Sequence, residues 1–318
     1  MFRISLIEIT HLKKSFKNTL AIDDLSFTLD NEVLAFLGPN GAGKTTIMNC
    51  LLGLIKRDSG TIAILGMDPE KSVNKIRQKV GLVPQETALY EYLTAKENLE
   101  FHARVYGIPR SERKKKIKEA LELSQLTERA NDLVSTFSGG MKRRLALVRS
   151  LLHDPDFLFL DEPTLGIDVQ NRNEIWERIR VLKETKGIIL NTNYMDEAEQ
   201  IADRCAIIDN GKLIVIDTPA NLKKQYAGGT NLRLVVKPGD GIDSLVSQLE
   251  LLTSDLNYVK NDDESYKFII PAKEDPNALL TKVTQIMQKT STTLLDLVLT
   301  SPTLDDVFLQ LTGKALRD

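Results

Sequence analysis

Residues Gly38-Pro39-Asn40-Gly41-Ala42-Gly43-Lys44-Thr45-Thr46 spell G-x-x-x-x-G-K-[ST]. They follow the apolar run Val33 to Leu37 and precede a helical pattern, Ile47 to Leu52. Strand, glycine loop and helix in that order are what the pattern requires. The glycines let the backbone curl so that successive N–H groups turn inward around an anion, and the helix adds its positive end. Lys44 can then reach the outer phosphates of a nucleotide, and the Thr45 hydroxyl can ligate Mg²⁺.

The surrounding sequence alternates in the way an α/β sheet covered on both faces demands. Ile4 to Thr10, Leu25 to Leu29, Val33 to Leu37, Thr61 to Leu65, Val80 to Val83, Phe157 to Leu160, Ile188 to Leu190 and Ala206 to Ile208 read as strands. The N-terminal ones form an additional antiparallel layer. A helix-rich block from about Thr94 to Ser135 interrupts the alternation. It carries the strongest charge run, Arg113-Lys114-Lys115-Lys116-Ile117-Lys118. That run reads as a solvated helix face, with Ala120, Leu121 and Leu123 supplying the buried one, against a basic docking patch.

The Gly-rich Tyr226-Ala227-Gly228-Gly229-Thr230 marks a boundary between residues 1–227 and 228–318. Beyond it the pattern restarts as β-α-β-β-α-β: Leu232 to Val236, Ile242 to Leu251, Leu256 to Lys260, Tyr266 to Ile270, Asn277 to Gln288 and Leu294 to Leu299. This is the order of a small ferredoxin-like α+β unit. A last helix opens at Ser301-Pro302-Thr303, with Ser301 as its expected cap and Pro302 in the first turn.

Composition narrows the function classes. Lys+Arg number 42 against 44 Asp+Glu, a net charge of −2, which argues against a uniform positive field for coating nucleic acid. Two cysteines, Cys50 and Cys205, are too few for a disulfide scaffold. His11, His102 and His153 lack ligand-type spacing. The same scarcity of cysteine makes a reducing cytosol the expected compartment, and no run reaches the ~18 apolar residues of a transmembrane helix, so the chain is not expected to span a membrane by itself.

Two further motifs complete the chemistry. The apolar strand Phe157 to Leu160 ends in Asp161-Glu162. Asp161 suits a Mg²⁺-associated carboxylate, acting through water, and Glu162 can polarise a water against the γ-phosphate. Thr136-Phe137-Ser138-Gly139-Gly140-Met141-Lys142-Arg143-Arg144 opens a helix with a hydroxyl and flexible amides, a second anion site. Together with the glycine loop these motifs resemble the ATP-binding cassette (ABC) ATPases, over about residues 4 to 220.

The resemblance implies a P-loop ABC-ATPase core with a helical subdomain at about residues 86–140 and an antiparallel β subdomain. It implies roles for further residues. Phe16 would stack on adenine, Gln85 would sense Mg²⁺ and the γ-phosphate, and Asp168, in Leu165-Gly166-Ile167-Asp168, would communicate across a dimer interface. One position departs from the family. Where a Thr-His pair is usual, this chain has Thr192-Asn193. An amide can donate a hydrogen bond to phosphate but carries no charge and shuttles no proton.

The resemblance also implies two cassettes packed head to tail, each ATP lying between residues 38–46 of one and Ser138-Gly139-Gly140 of the other. Motion would pass to a separate transmembrane permease, with the chain on the inner face of the membrane. The ending Pro302-Thr303-Leu304-Asp305-Asp306-Val307-Phe308-Leu309 resembles bacterial ABC-2-type exporters. Two alternatives stay open at this point: a soluble ABC ATPase acting on ribosomes or nucleic acid, and a weakly hydrolysing regulatory cassette. Nucleic-acid binding is not expected, since neither sustained heptads nor a second cassette is present.

Overall fold

The computed structural model describes residues 6–313 apart from residues 18, 228–229, 238, 240, 254–255, 262–263, 273–274, 291 and 301. It divides into two compact units, one running to Pro219 and one comprising Ala220–Ala315. The boundary therefore falls several residues before the expected one at 227/228. Gly228 and Gly229 lie outside the described residues.

The first unit contains β1 (Ile7–Phe16), β2 (Thr19–Leu29), β3 (Val33–Leu37), α1 (Lys44–Leu51), β4 (Ser59–Ile64), α2 (Val73–Arg77), β5 (Val80–Val83), α3 (Ala95–Val105), α4 (Arg110–Leu123), α5 (Gly139–Leu151), β6 (Phe157–Asp161), α6 (Val169–Leu182), β7 (Gly187–Asn191), α7 (Met195–Ile201), β8 (Arg204–Asp209) and β9 (Lys212–Asp217). Its main sheet has the order β5-β6-β7-β3-β8-β9. The pairs from β5 to β8 are parallel, and β9 returns antiparallel along β8. Every residue of β3 and β7 is buried, as expected for strands covered on both faces. Because β6, β7 and β3 are neighbours, the loops leaving their C-terminal ends converge on one crevice, where open α/β sheets bind ligands.

The antiparallel layer, β2-β1-β4, is present but longer than the sequence pattern suggested. The hairpin pairs Ile7 with Leu29 and continues to Phe16 with Thr19. Its register shifts beyond Ile9, and His11 adopts φ 50° there. Such bulges break the two-residue alternation that marks a strand in sequence. Strand β9 was also missed. It follows Asn210-Gly211, both at positive φ (48° and 77°), the residue pair favoured in tight hairpin turns.

The helical block has its own core, in which Ala95, Leu99, Ile117, Leu121, Val134, Phe137 and Leu145 pack together. Thr94 caps α3 with a reciprocal Thr94–Glu97 capping box, worth about 1 kcal/mol. On α4 the buried face is Ile117, Ala120 and Leu121. Leu123, expected inside, is 46% exposed because it lies off that stripe, which continues instead to the buried Ser124. Lys115 and Lys118 approach Glu119 and Glu122 one turn along the solvent face.

Helix α8 (Pro219–Tyr226) begins at the boundary, and the second unit continues with β10 (Asn231–Val236), α9 (Ile242–Leu252), β11 (Asn257–Lys260), β12 (Tyr266–Pro271), α10 (Pro276–Thr290), β13 (Leu294–Thr300) and α11 (Leu304–Thr312). The sheet order β11-β12-β10-β13 is antiparallel throughout, the split arrangement expected from the element order. Leu232, Leu234, Val236, Phe268 and Ile270 alternate onto one face and pack with Leu245, Leu249, Val283 and Met287 from the helices. Thr303, not Ser301, caps α11, through a box with Asp306. Pro302 therefore precedes the cap instead of occupying the first turn. Ser301 itself lies outside the described residues.

Candidate active site

The glycine loop joins β3 to α1 and needs glycine for steric reasons. A Cβ on Gly38 would stand 2.1 Å from the Ile208 carbonyl oxygen. Gly43, at φ 107°, would place one 2.5 Å from Ala21 O. Gly43 is also the N-cap of α1 and makes no side-chain cap bond, leaving the helix's first amides for a ligand.

A cavity of about 970 Å³ opens over this loop. Pro39 to Thr46 line one side, and Gln85, Asp161, Glu162 and Asn193 line the other. Lys44 is buried, with Nζ donating to the carbonyl oxygens of Gly38 and Pro39 (3.2 Å) and to Asn193 Oδ1 (3.0 Å). Burial pulls the Lys44 ammonium down to about 8, while Glu162 and Asp161 resist the shift.

Glu162 sits at the centre of the polar groups. Its Oε2 accepts from Gln85 Nε2 at 3.1 Å and its Oε1 from Asn193 Nδ2 at 2.9 Å. Burial and the neighbouring Asp161 raise its pKa, against Lys44 and Arg143. The residue adopts φ 45°, uncommon for a side chain of this size, and its N–H donates to Asn191 O at 2.7 Å. Asn191 Nδ2 in turn donates to Asp161 Oδ1 at 2.5 Å, across the β6–β7 register pair. Asn193 also donates to Asn40 Oδ1 at 3.1 Å, so one amide touches the glycine loop, the lysine and the carboxylate.

The remaining candidates lie elsewhere. Phe16, 44% exposed at the end of β1, is not among the cavity-lining residues. Its hairpin partner Thr19 is, with Leu20 and Ala21, and Lys14 Nζ lies 5.3 Å from the Phe16 ring. Ser138 is the N-cap of α5, accepting from Met141 N at 3.3 Å, and it is exposed with Gly139 outside the cavity. Gly140 is packed so closely that a Cβ would meet Asn171 Cγ at 2.9 Å. Asp168 caps α6 through Asn171 N at 3.1 Å.

Sequence reasoning missed two buried polar groups. Arg143, on α5, donates to five backbone carbonyls around the site. Glu197, fully buried on α7, accepts from Thr164 Oγ1 at 2.8 Å and Trp176 Nε1 at 3.0 Å. Desolvation raises its pKa. Both residues sit in charged stretches that read as surface; only the packing of α5 and α7 buries them. The histidines were also unexpected. His102 and His153 lie with ring centroids 5.8 Å apart, and Tyr106 stacks on His153 at 3.9 Å.

Residues 22–165 match the family model described as ABC transporter. The linearmycin resistance ATP-binding protein LnrL of Bacillus subtilis is 39% identical over 98% of this chain and 100% of that protein. The Nod factor export ATP-binding protein I of Ralstonia nicotianae is 35% identical over 98% of this chain and 95% of its own length. A solved ATP-binding subunit of an ABC transporter superposes with a TM-score of 0.64 at 29% identity, covering 70% of this chain and 94% of that one. With relatives this similar along nearly the whole chain, and a phosphate loop facing two acidic residues across one crevice, the chain belongs to the ABC transporter family as one of its ATP-binding proteins.

Proposed function

We propose that this chain hydrolyses ATP at the crevice between Gly38–Thr46 and Asp161-Glu162, and thereby drives an exporter whose membrane-crossing subunits are separate chains. The observation that carries the reading is the meeting, in one cavity, of the phosphate loop, Lys44, Gln85, Asp161, Glu162 and Asn193. Relatives named for drug resistance and for Nod factor export support the exporter role. Among the described residues no helix is long and apolar enough to cross a membrane, which fits membrane-crossing subunits on separate chains. A position on the cytoplasmic face of the membrane follows from that pairing.

In this reading the loop amides and Lys44 hold the β- and γ-phosphates, and Phe16 stacks on the adenine. Glu162 polarises the attacking water, its carboxylate steered by Gln85 and Asn193. Thr45, Gln85 and Asp161 offer the hard oxygens that suit Mg²⁺, which keeps waters and phosphate oxygens as its other ligands. Bound there, the ion would neutralise charge on the phosphates. Ser138, Gly139 and Gly140 would present the α5 N-terminus to ATP held by a second cassette, with Asp168 facing the same partner. Ser138 and Gly139 are exposed and do not line their own chain's cavity, which supports that assignment.

Asn193 favours a second reading, a cassette that binds ATP and turns it over slowly, because an amide shuttles no proton. Mg²⁺-dependent ATPase activity of the purified chain decides between them. Turnover that vanishes in Glu162→Gln supports the first reading. Tight ATP binding with negligible wild-type turnover selects the second.

A further inference from the structure

Arg143 is 4% exposed, yet the hydrogen bonds it makes among the described residues reach no carboxylate. All of its hydrogen bonds go to backbone carbonyls. Nε donates to Pro163 O at 2.8 Å, and Nη1 donates to Pro84 O at 2.8 Å and Gln85 O at 2.9 Å. Nη2 donates to Asp161 O at 3.2 Å and to Glu162 O. One side chain thus ties together the Gln85 loop after β5, the acidic turn after β6, and the helix that Ser138 caps. Only a guanidinium has enough donors, in a planar fork, to serve five acceptors at once. A lysine ammonium has three donors on a single centre.

The acidic turn needs such a tie. Glu162 holds a left-handed φ of 45°, a conformation that persists only where its surroundings over-determine it. Arg143 takes the carbonyls of Asp161, Glu162 and Pro163 from one side, while the Glu162 side chain meets Gln85 and Asn193 in the cavity.

We infer that Arg143 is a positioning residue for hydrolysis: it locks the Glu162 turn and the Gln85 loop in register with α5. A displacement of α5 at its Ser138 end would then be felt at Glu162 of the same chain. The inference rests on the proposed role of Glu162. Arg143 does not line the cavity and spends its donors on backbone carbonyls, so its loss should act on turnover and not on ATP affinity.

The test compares Arg143→Lys and Arg143→Gln with wild type in the full chain, measuring ATP affinity by calorimetry and kcat with Mg·ATP. The expected result is a fall in kcat of about 100-fold, the effect of a misplacement near 1 Å, at unchanged ATP affinity. Arg143→Lys decides the matter if Arg143→Gln does not fold, since it keeps the buried cation and most of the packing. Wild-type kcat in Arg143→Lys, or affinity and kcat lost in equal proportion, overturns the inference. Glu162→Gln run alongside separates the two ideas. If that variant hydrolyses ATP normally, the site reading itself fails; if it is inactive while Arg143→Lys is normal, only the role of Arg143 is lost.

Discussion

Lys44 and Asn193, far apart in sequence, share a hydrogen bond of 3.0 Å from Nζ to Oδ1. The contact substitutes a neutral amide for an ionisable ring beside a buried ammonium. Asn193 can accept from Lys44 through one end and donate to Glu162 through the other, whatever the pH. The lysine, in contrast, is poised to titrate.

ATP affinity should depend on the charge of Lys44. Its pKa near 8 means that the ligand-free site begins to lose its cation as pH rises through that value. Bound phosphates favour the charged form, so binding above pH 8 should take up a proton and weaken as pH rises further. Calorimetry in buffers of different ionisation enthalpy measures that proton directly; zero uptake at alkaline pH contradicts the account. Lys44→Ala should weaken ATP binding by about 100-fold or more, the usual loss when a buried charged hydrogen bond is truncated.

Glu162→Gln should bind ATP and stall before hydrolysis, so that ATP holds two copies together. Size-exclusion chromatography with saturating Mg·ATP reads this out. A variant that stays monomeric would falsify the proposal that each ATP is shared between cassettes.

Asn193→His should raise ATP turnover by restoring a group that can carry charge to the γ-phosphate. The gain should show a pH dependence near the ordinary histidine range, about 6.5, that wild type lacks. Turnover equal to or below wild type removes this explanation of the position.

Glu197 connects stability to pH. Burial raises its folded-state pKa above the unfolded carboxylate value, so between the two the native state holds a proton that the unfolded chain has released. Stability from this group is present at and below the unfolded pKa and declines as pH rises through the folded one. Glu197→Gln should flatten the fall of Tm with rising pH. An identical pH profile in thermal denaturation would show that Glu197 does not titrate abnormally.

Leu234→Ala should destabilise the second unit by about 2–5 kcal/mol, since its side chain is fully buried in that unit's core. If the two units are separate domains as proposed, ATP affinity should not change. A parallel loss of ATP binding would refute their independence.

Sequence alone determined much of this protein. The glycine loop demanded a strand before it and a helix after it, and β3 and α1 stand there. Asp161-Glu162 had to follow an apolar strand, and Ser138 had to cap a helix, because short-range chemistry dictates both. The β-α-β-β-α-β order of the second unit was equally legible, since strand and helix periodicities alternate cleanly there.

Tertiary structure decided what local pattern cannot encode. The bulged ends of β1 and β2 hid from a two-residue period, and the edge strand β9 was readable only as a turn signal beside a weak alternation. Arg143 and Glu197 look like surface charges in the sequence, and they become buried hubs only because α5 and α7 pack against the acidic turn. Asn193 was visible as a departure, but its three partners come from the glycine loop, the helix after it and the end of β6. Such contacts depend on which parallel strands are neighbours, and that order is set by long-range packing of the whole sheet.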